Sequence, residues 1–353
     1  MKKSITRIGV VFGGVSREHS VSIKSAKTVV NALRGKSNKS KFEVIAIYLD
    51  KKGRWLTGSI AEDILSTCKE IEGESLSKNE KSKGFYQLAK VIDNIDIWYP
   101  VIHGPNGEDG SLQGLFQLTG KPFVGSGVLG SAVGMDKITM KIIFAAAGLP
   151  QAPYLAFNAE EIELEEKNLS IINEIEQTLG YPCFIKPANL GSSIGITKAY
   201  SKKEIIEGLH LAATLDKRIV VEKNINGREL ECAILGKTNM KASTVGEISI
   251  CGDWYDYQTK YSNDLSQVII PAPISKEIFL KVQELSLLAC KAISAEGIAR
   301  VDFFFDDEEN QLFINEINTL PGFTEKSMYP KLWAESGMNL EQLVANLVAT
   351  AKE

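Results

Sequence analysis

Three oxygen-bearing side chains, Asp302, Glu316 and Asn318, stand inside the apolar stretch GIARVDFFFDDEENQLFINEINTLPGFT, residues 297–324. Two apolar runs, 298–305 and 311–317, flank an acidic turn, which is the pattern of a β-hairpin. Side chains two apart on a strand share a face. Arg300 and Asp302 therefore point together; Glu316 and Asn318 share one side of their strand, and Asn315 and Ile317 the other. Burying an unpaired carboxylate is strongly unfavourable or forces a large pKa shift. A hard divalent cation would give these groups a role, and an oxygen-only donor set without Cys or His suits Mg²⁺ rather than zinc. Such ions usually complete their shell with water and substrate phosphate, which points to nucleotide chemistry. The competing reading is a surface hairpin whose charged residues line a solvated face.

A second group has the spacing of a phosphate site. Lys186 lies in YPCFIKP (181–187), otherwise a buried strand, and a lysine there needs an anion for its head. Five residues on, GSSIG (191–195) offers backbone N–H groups and hydroxyls suited to covering phosphates. Lys137 follows Met135 and Asp136 on a helix expected from about Ser131. Glu222 and Glu229 stand seven apart on either side of the Asn226-Gly227 turn, where exposed hairpin charges are the simpler account. His103 ends the apolar run IDIWYPVI (95–102); a site histidine and a hydrogen-bonded loop histidine are equally supported there. Glu108 and Asp109 precede a helix and are explained by dipole and cap contacts. Glu18, His19 and Ser22 lie in VSREHSVS beyond the first strand, where doubly wound sheets bind ligands. Ser16 or Ser20 would serve equally as helix caps there.

The bulk numbers exclude several classes of protein. The 353 residues suffice for two or three domains. With 44% hydrophobic and 24% charged residues the composition is that of a soluble globular protein. A net charge of −4 gives no electrostatic case for nucleic acid or an anionic membrane. No apolar run approaches a membrane span, and the N-terminus lacks the apolar region and cleavage site of a signal peptide. Five scattered cysteines without a CxxC read as free thiols in a reducing cytoplasm. Walker A, kinase and GxSxG signatures are absent, so phosphate would be held by lysines and metal.

Elements must place these groups. Residues 7–12, then Gly13-Gly14, then helical spacing from Ile23 to Leu33 open a doubly wound sheet. The turn is not GxGxxG, which counts against a nicotinamide dehydrogenase. Residues 42–49 read as a strand and 58–85 as a polar surface insertion. A linker at 149–153 leads to a second strand-and-helix layer, with helices at 171–179 and 201–215 and strands at 181–187 and 218–222. Residues 228–235 and 244–250 are strands, 276–295 and 339–351 helices. CGDWYDYQTKYSNDLSQ (251–267) is too long and aromatic for a plain connection and reads as a functional lid.

GGVSREHSVS, HGPNGEDG, MDK, FIKP, GSSIG, YDYQTKY, RVDFFF and INEINTLPGFT occur in this order almost end to end. In these motifs the chain resembles the D-alanine–D-alanine ligases of the ATP-grasp superfamily. The resemblance implies a mixed α/β and α+β fold of three domains with an N-terminal doubly wound parallel sheet. The expected divisions are 1–125 for the first D-alanine, 126–220 with the GSSIG loop, and 221–353 with the lid and the metal hairpin. It implies ATP-dependent joining of two D-alanines through an acylphosphate, for peptidoglycan precursors, in a cytoplasmic homodimer with small-molecule partners only. Relatives that use D-lactate or D-serine, or a silent nucleotide-binding member, are the alternatives.

The resemblance also implies residue roles. Lys137, Lys186 and Ser193 match groups near the ATP phosphates, and Lys260 a lid lysine reaching the γ-phosphate. Glu222 and Glu229 match the adenine- and ribose-binding acids. Asp302, Glu316 and Asn318 match ligands of two Mg²⁺ ions, for which Mn²⁺ would substitute. Glu18 matches the carboxylate that receives the first ammonium, His103 a group beside that substrate, and Ser327 a group on the second carboxylate. Glu18, Ser192 and Tyr261 match a hydrogen-bonded trio that closes the lid. Arg300 and the Gly322 N–H match an oxyanion hole. Tyrosine at 261 favours D-alanine over D-lactate as acceptor.

Overall fold

The computed structural model describes residues 5–70, 86–163, 165–250 and 266–353. Tyr261, Lys260 and nearly all of the expected lid lie outside the described residues, as does 71–85 of the expected insertion. Residues 59–67 of that insertion form a regular helix, Ser59–Thr67, whose Ala61, Ile64 and Leu65 are buried. An i, i+3, i+4 apolar triplet inside the polar sequence accounts for it.

The first sheet contains β1 (Thr6–Gly13), β2 (Phe42–Leu49), β3 (Trp55–Thr57) and β4 (Ile97–Val101) in the order β3-β2-β1-β4. β1 runs parallel to β2 and β4, and only β3 is antiparallel. Both faces are covered, as parallel strands require. Ile8, Val10 and Phe12 enter a core with the helix His19–Leu33, while Val11 joins Trp98, Leu112 and Phe116 behind. At the end of β1, Gly13 has φ +96° and an added Cβ would lie 2.2 Å from the Leu49 carbonyl oxygen. Only glycine permits this close turn into the loop that carries Glu18.

The second sheet contains β5 (Tyr154–Asn158), β6 (Cys183–Pro187), β7 (Thr197–Ala199) and β8 (Arg218–Lys223), antiparallel in the order β5-β8-β6-β7. Cys183, Ile185, Ile219 and Val221 face the helices Glu165–Thr178 and Lys202–Leu215. By strand parity Phe184, Lys186 and Glu222 face the other way. The third sheet contains β9 (Arg228–Gly236), β10 (Lys241–Ile250), β11 (Ser266–Ile269), β12 (Gly297–Asp306) and β13 (Gln311–Asn318) in the order β11-β10-β9-β12-β13. Leu230, Cys232, Val301, Phe303 and Ile314 of one face pack with the helix Lys276–Ile293 and with Met140 and Phe144 of the helix Lys137–Ala146. Ala233 and Leu235 of the other face join the first sheet's core together with Tyr329, Trp333, Leu343 and Val344. The C-terminal helices therefore tie the first sheet to the third.

Candidate active site

A cavity of about 370 Å³ is lined by residues of the second and third sheets. Lys137, Lys186, Ser192, Ser193, Glu222, Glu229, Arg300, Asp302 and Glu316 all line it. These residues come from five separate stretches of chain: the start of the helix Lys137–Ala146, β6 with the loop after it, β8 to β9, β12 and β13.

On the third sheet, Asp302 lies directly opposite Glu316 and Arg300 opposite Asn318, so the four share one face. The register shifts just beyond Asp302, where Phe303 pairs with Ile314, and Asn315 is the extra residue. On the neighbouring strand Asp302 faces Glu231, which sequence reasoning did not single out. Arg300 donates to both Asp302 oxygens at 2.7 and 2.6 Å, and its Nε lies 3.0 Å from Glu231. Burial disfavours the charge on Arg300, but Asp302 and Glu231 outweigh it and hold the guanidinium well above its ordinary pKa. Lys137 lies 3.6 Å from Glu316 and donates to the Leu190 carbonyl at 2.7 Å. Asp136 caps that helix by accepting from the Thr139 N–H and pairs with Arg218, which fixes Lys137 at the first helical position. Asn318 accepts from the Leu320 N–H at 2.9 Å. Among the described residues no group of three His, Cys, Asp or Glu side chains is arranged to hold a metal ion. The two carboxylates are instead neutralised by Arg300 and Lys137, and the donor chemistry of Asp302, Glu316 and Asn318 remains that of a hard cation.

On the second sheet, Lys186 donates to Glu222 at 2.7 Å, and a second lysine, Lys141, reaches the other Glu222 oxygen at 3.1 Å. Burial pushes the Glu222 carboxyl up, but Lys141 and Lys186 overcome this and hold it at about 2. Lys141 carries no signal in the sequence, because it stands in the helical pattern KITMKIIFAA, where a lysine reads as solvent-facing. In the GSSIG loop Ser192 and Ser193 have φ of 53° and 57°. Non-glycine residues adopt this region only when their surroundings hold them there. The Ser192 hydroxyl donates to Glu18, joining the loop to the end of the first sheet.

Beside Glu18 the histidine is buried. The Nδ1 of His103 lies 3.1 Å from the Leu320 carbonyl oxygen and 3.4 Å from Glu108, and its Nε2 lies 3.1 Å from the Ser25 hydroxyl. Ser25 also accepts from the Phe323 N–H at 3.1 Å, so the turn carrying Gly322 is held from both ends. Burial disfavours the imidazolium, yet Glu108 and Glu18 raise its pKa overall. Burial likewise raises the Glu108 carboxyl. Glu108 thus pairs with His103 rather than capping a helix, whereas Asp109 accepts from the Asn106 and Ser111 N–H groups. Ser16 donates to the His103 carbonyl, and neither it nor Ser20 caps the helix His19–Leu33. His19 pairs with Tyr48, and Ser22 accepts from Gly13 and donates to Val101, so both brace the first sheet. Ser327 lies in the same turn as Gly322, accepting from the Thr324 N–H at 3.0 Å.

Two sheets closing on a cavity with lysines on one wall and an acid-rich hairpin on the other define an ATP-grasp protein. The D-ala D-ala ligase N-terminus model matches residues 7–126 and the C-terminus model matches 143–349. The chain belongs to the D-alanine–D-alanine ligase family. A D-alanine–D-alanine ligase from a strain of Prochlorococcus marinus is 59% identical over 99% of this chain and 100% of its own. One from Synechococcus sp. strain WH7803 is 53% identical over the whole of both chains. Among solved structures, the VanG D-Ala:D-Ser ligase from Enterococcus faecalis superposes with a TM-score of 0.82 at 33% identity, covering 99% of this chain and 100% of that one. The D-alanine–D-alanine ligase from Coxiella burnetii gives 0.79 at 31%, covering 98% and 95%.

Proposed function

We propose that this enzyme joins two D-alanines to D-alanyl-D-alanine with cleavage of ATP to ADP and phosphate, supplying a peptidoglycan precursor. The observation that carries the reading is the cavity between the two sheets, with Lys186 and Glu222 on one wall and Arg300, Asp302 and Glu316 on the other, in a full-length member of this family.

The nucleotide would lie in that cavity, with Lys137 and Lys186 toward its phosphates, Ser193 above them, and Glu222 and Glu229 toward adenine and ribose. Asp302, Glu316 and Asn318 would hold two Mg²⁺ ions, whose charge neutralises the polyphosphate and which Mn²⁺ would replace. Glu18 takes the ammonium of the first D-alanine, with His103 beside it. A carboxylate oxygen of that substrate bonds to the γ-phosphorus as the bond to ADP breaks, giving an acylphosphate. The second D-alanine, its carboxylate on Ser327, loses a proton and attacks the acyl carbon through its amine. Arg300 and the Gly322 N–H receive the developing oxyanion, which collapses with departure of phosphate. Removing one such donor typically costs about 3 kcal/mol in the transition state. Ser192, Glu18 and Tyr261 close the site against water, which an acylphosphate intermediate requires. Lys260 would serve the γ-phosphate.

D-Serine is the second reading, favoured by the likeness to the VanG ligase, but the two more similar relatives named above, at 59% and 53% identity, are D-alanine–D-alanine ligases. The test is phosphate release from ATP with D-alanine alone, with D-alanine plus D-serine or D-lactate, and with L-alanine, in Mg²⁺ and in EDTA. Release that needs both D-alanine and Mg²⁺, with D-alanyl-D-alanine as the dominant product, is expected. A dominant mixed product would move the acceptor, and no D-alanine-dependent release would withdraw the substrate. Domain divisions near 125 and 220, a cytoplasmic location and a homodimer complete the reading. No helix among the described residues is long and apolar enough to cross a membrane, and a monomeric mass by light scattering would refute the dimer.

A further inference from the structure

Lys141 has no part in the reaction above, yet it is a lysine only 1% exposed. It stands one turn beyond Lys137 on the helix Lys137–Ala146 and does not line the cavity. Its ammonium lies 3.1 Å from Glu222 and 5.3 Å from the centre of the Tyr154 ring. Lys186 takes the other Glu222 oxygen at 2.7 Å and does line the cavity. An isolated buried ammonium is strongly disfavoured, so two of them on one carboxylate call for a use.

Counting charges suggests one. Lys186 paired with Glu222 alone would be a neutral unit and a weak attractor for phosphate. Burial lowers the Lys141 pKa and the Glu222 carboxylate opposes it; with Lys141 charged behind Glu222, the three groups carry a surplus positive charge, and Lys186 is its cavity-facing end. In a low-dielectric wall such a charge is felt more strongly than in water. We propose that Lys141 is a positioning residue for nucleotide: it engages Glu222 from behind and leaves Lys186 an uncancelled cation toward a polyphosphate. The inference rests on the reading that ATP occupies this cavity.

The test is calorimetric titration of the intact enzyme and of Lys141→Met with ATP, ADP and adenosine. The expected result is an ATP and ADP Kd raised about tenfold, the scale of one unit charge acting across roughly 12 Å of protein. Adenosine, which lacks phosphate, should keep its affinity within about twofold, and the ATP deficit should shrink in high salt. If Lys141→Met does not fold, Lys141→Gln carries the same comparison, since it too removes the charge. Equal losses for adenosine and ATP would mean that Lys141 only shapes the wall, and an unchanged ATP Kd would mean that its charge is not felt; either overturns the proposal. Failure of the unmodified enzyme to bind ATP would instead remove the site reading itself.

Discussion

Ser25 shows how much of this site depends on one small side chain. It is fully buried on the helix His19–Leu33. The Nδ1 of His103 faces two acceptors, the Leu320 carbonyl and Glu108, so the network assigns a proton to Nδ1. In the neutral ring, the Ser25 hydroxyl then donates to Nε2 while accepting from the Phe323 N–H. Ser25→Ala would break both contacts and leave a buried N–H unsatisfied, a loss of about 1–3 kcal/mol. Because the freed turn carries Gly322, kcat should fall on the order of tenfold, less than for loss of a direct oxyanion donor. The ATP Kd should hold, since the turn lies outside the cavity proposed for the nucleotide. Steady-state kinetics paired with ATP titration check this, and an unchanged kcat would sever the turn from the chemistry. Ser25 was not legible in the sequence, because a serine among small helix residues carries no sign of what packs above it.

Elements were legible where periodicity was strong. The alternation in β12 and β13 is enough to put Arg300 with Asp302 and Glu316 with Asn318, and the register pairs them across the hairpin. Parity could not reveal Glu231, which reaches Arg300 only because β9 lies beside β12. Strand order is a property of the whole sheet, and no local pattern encodes it. The short edge strand β5 is not legible in the sequence because its alternation is weak, with only Phe157 buried. The helix Met328–Glu335 is hidden in the sequence because Pro330 in its first turn resembles a break, although proline is tolerated there. Lys141 and Lys186 mark the same limit from opposite sides. A lysine in a β-run is conspicuous, whereas a lysine in a helix is ordinary until the face it occupies is known.

At the scale of the molecule, the reaction needs the first sheet's loop and the nucleotide cavity held together, and two features do so. The first sheet shares a core with the C-terminal helices and with Ala233 and Leu235 of the third sheet. The second sheet's loop is joined to the loop after β1 through Ser192 and Glu18, a hydrogen bond between two side chains 174 positions apart. A hydrogen bond to a charged carboxylate contributes about 1.5–3 kcal/mol, enough to bias a loop between open and closed positions but not to lock it. Loss of this contact should therefore affect shielding more than binding. With Ser192→Ala, the acylphosphate would more often meet water before the second D-alanine arrives. The intact enzyme should release phosphate and dipeptide in equal amounts, while Ser192→Ala should release phosphate in excess of dipeptide, with the excess falling as D-alanine is raised. Parallel phosphate and dipeptide assays over a D-alanine series measure the ratio directly. A variant that is slower but still releases equal amounts would show that this contact positions the substrate without keeping water out.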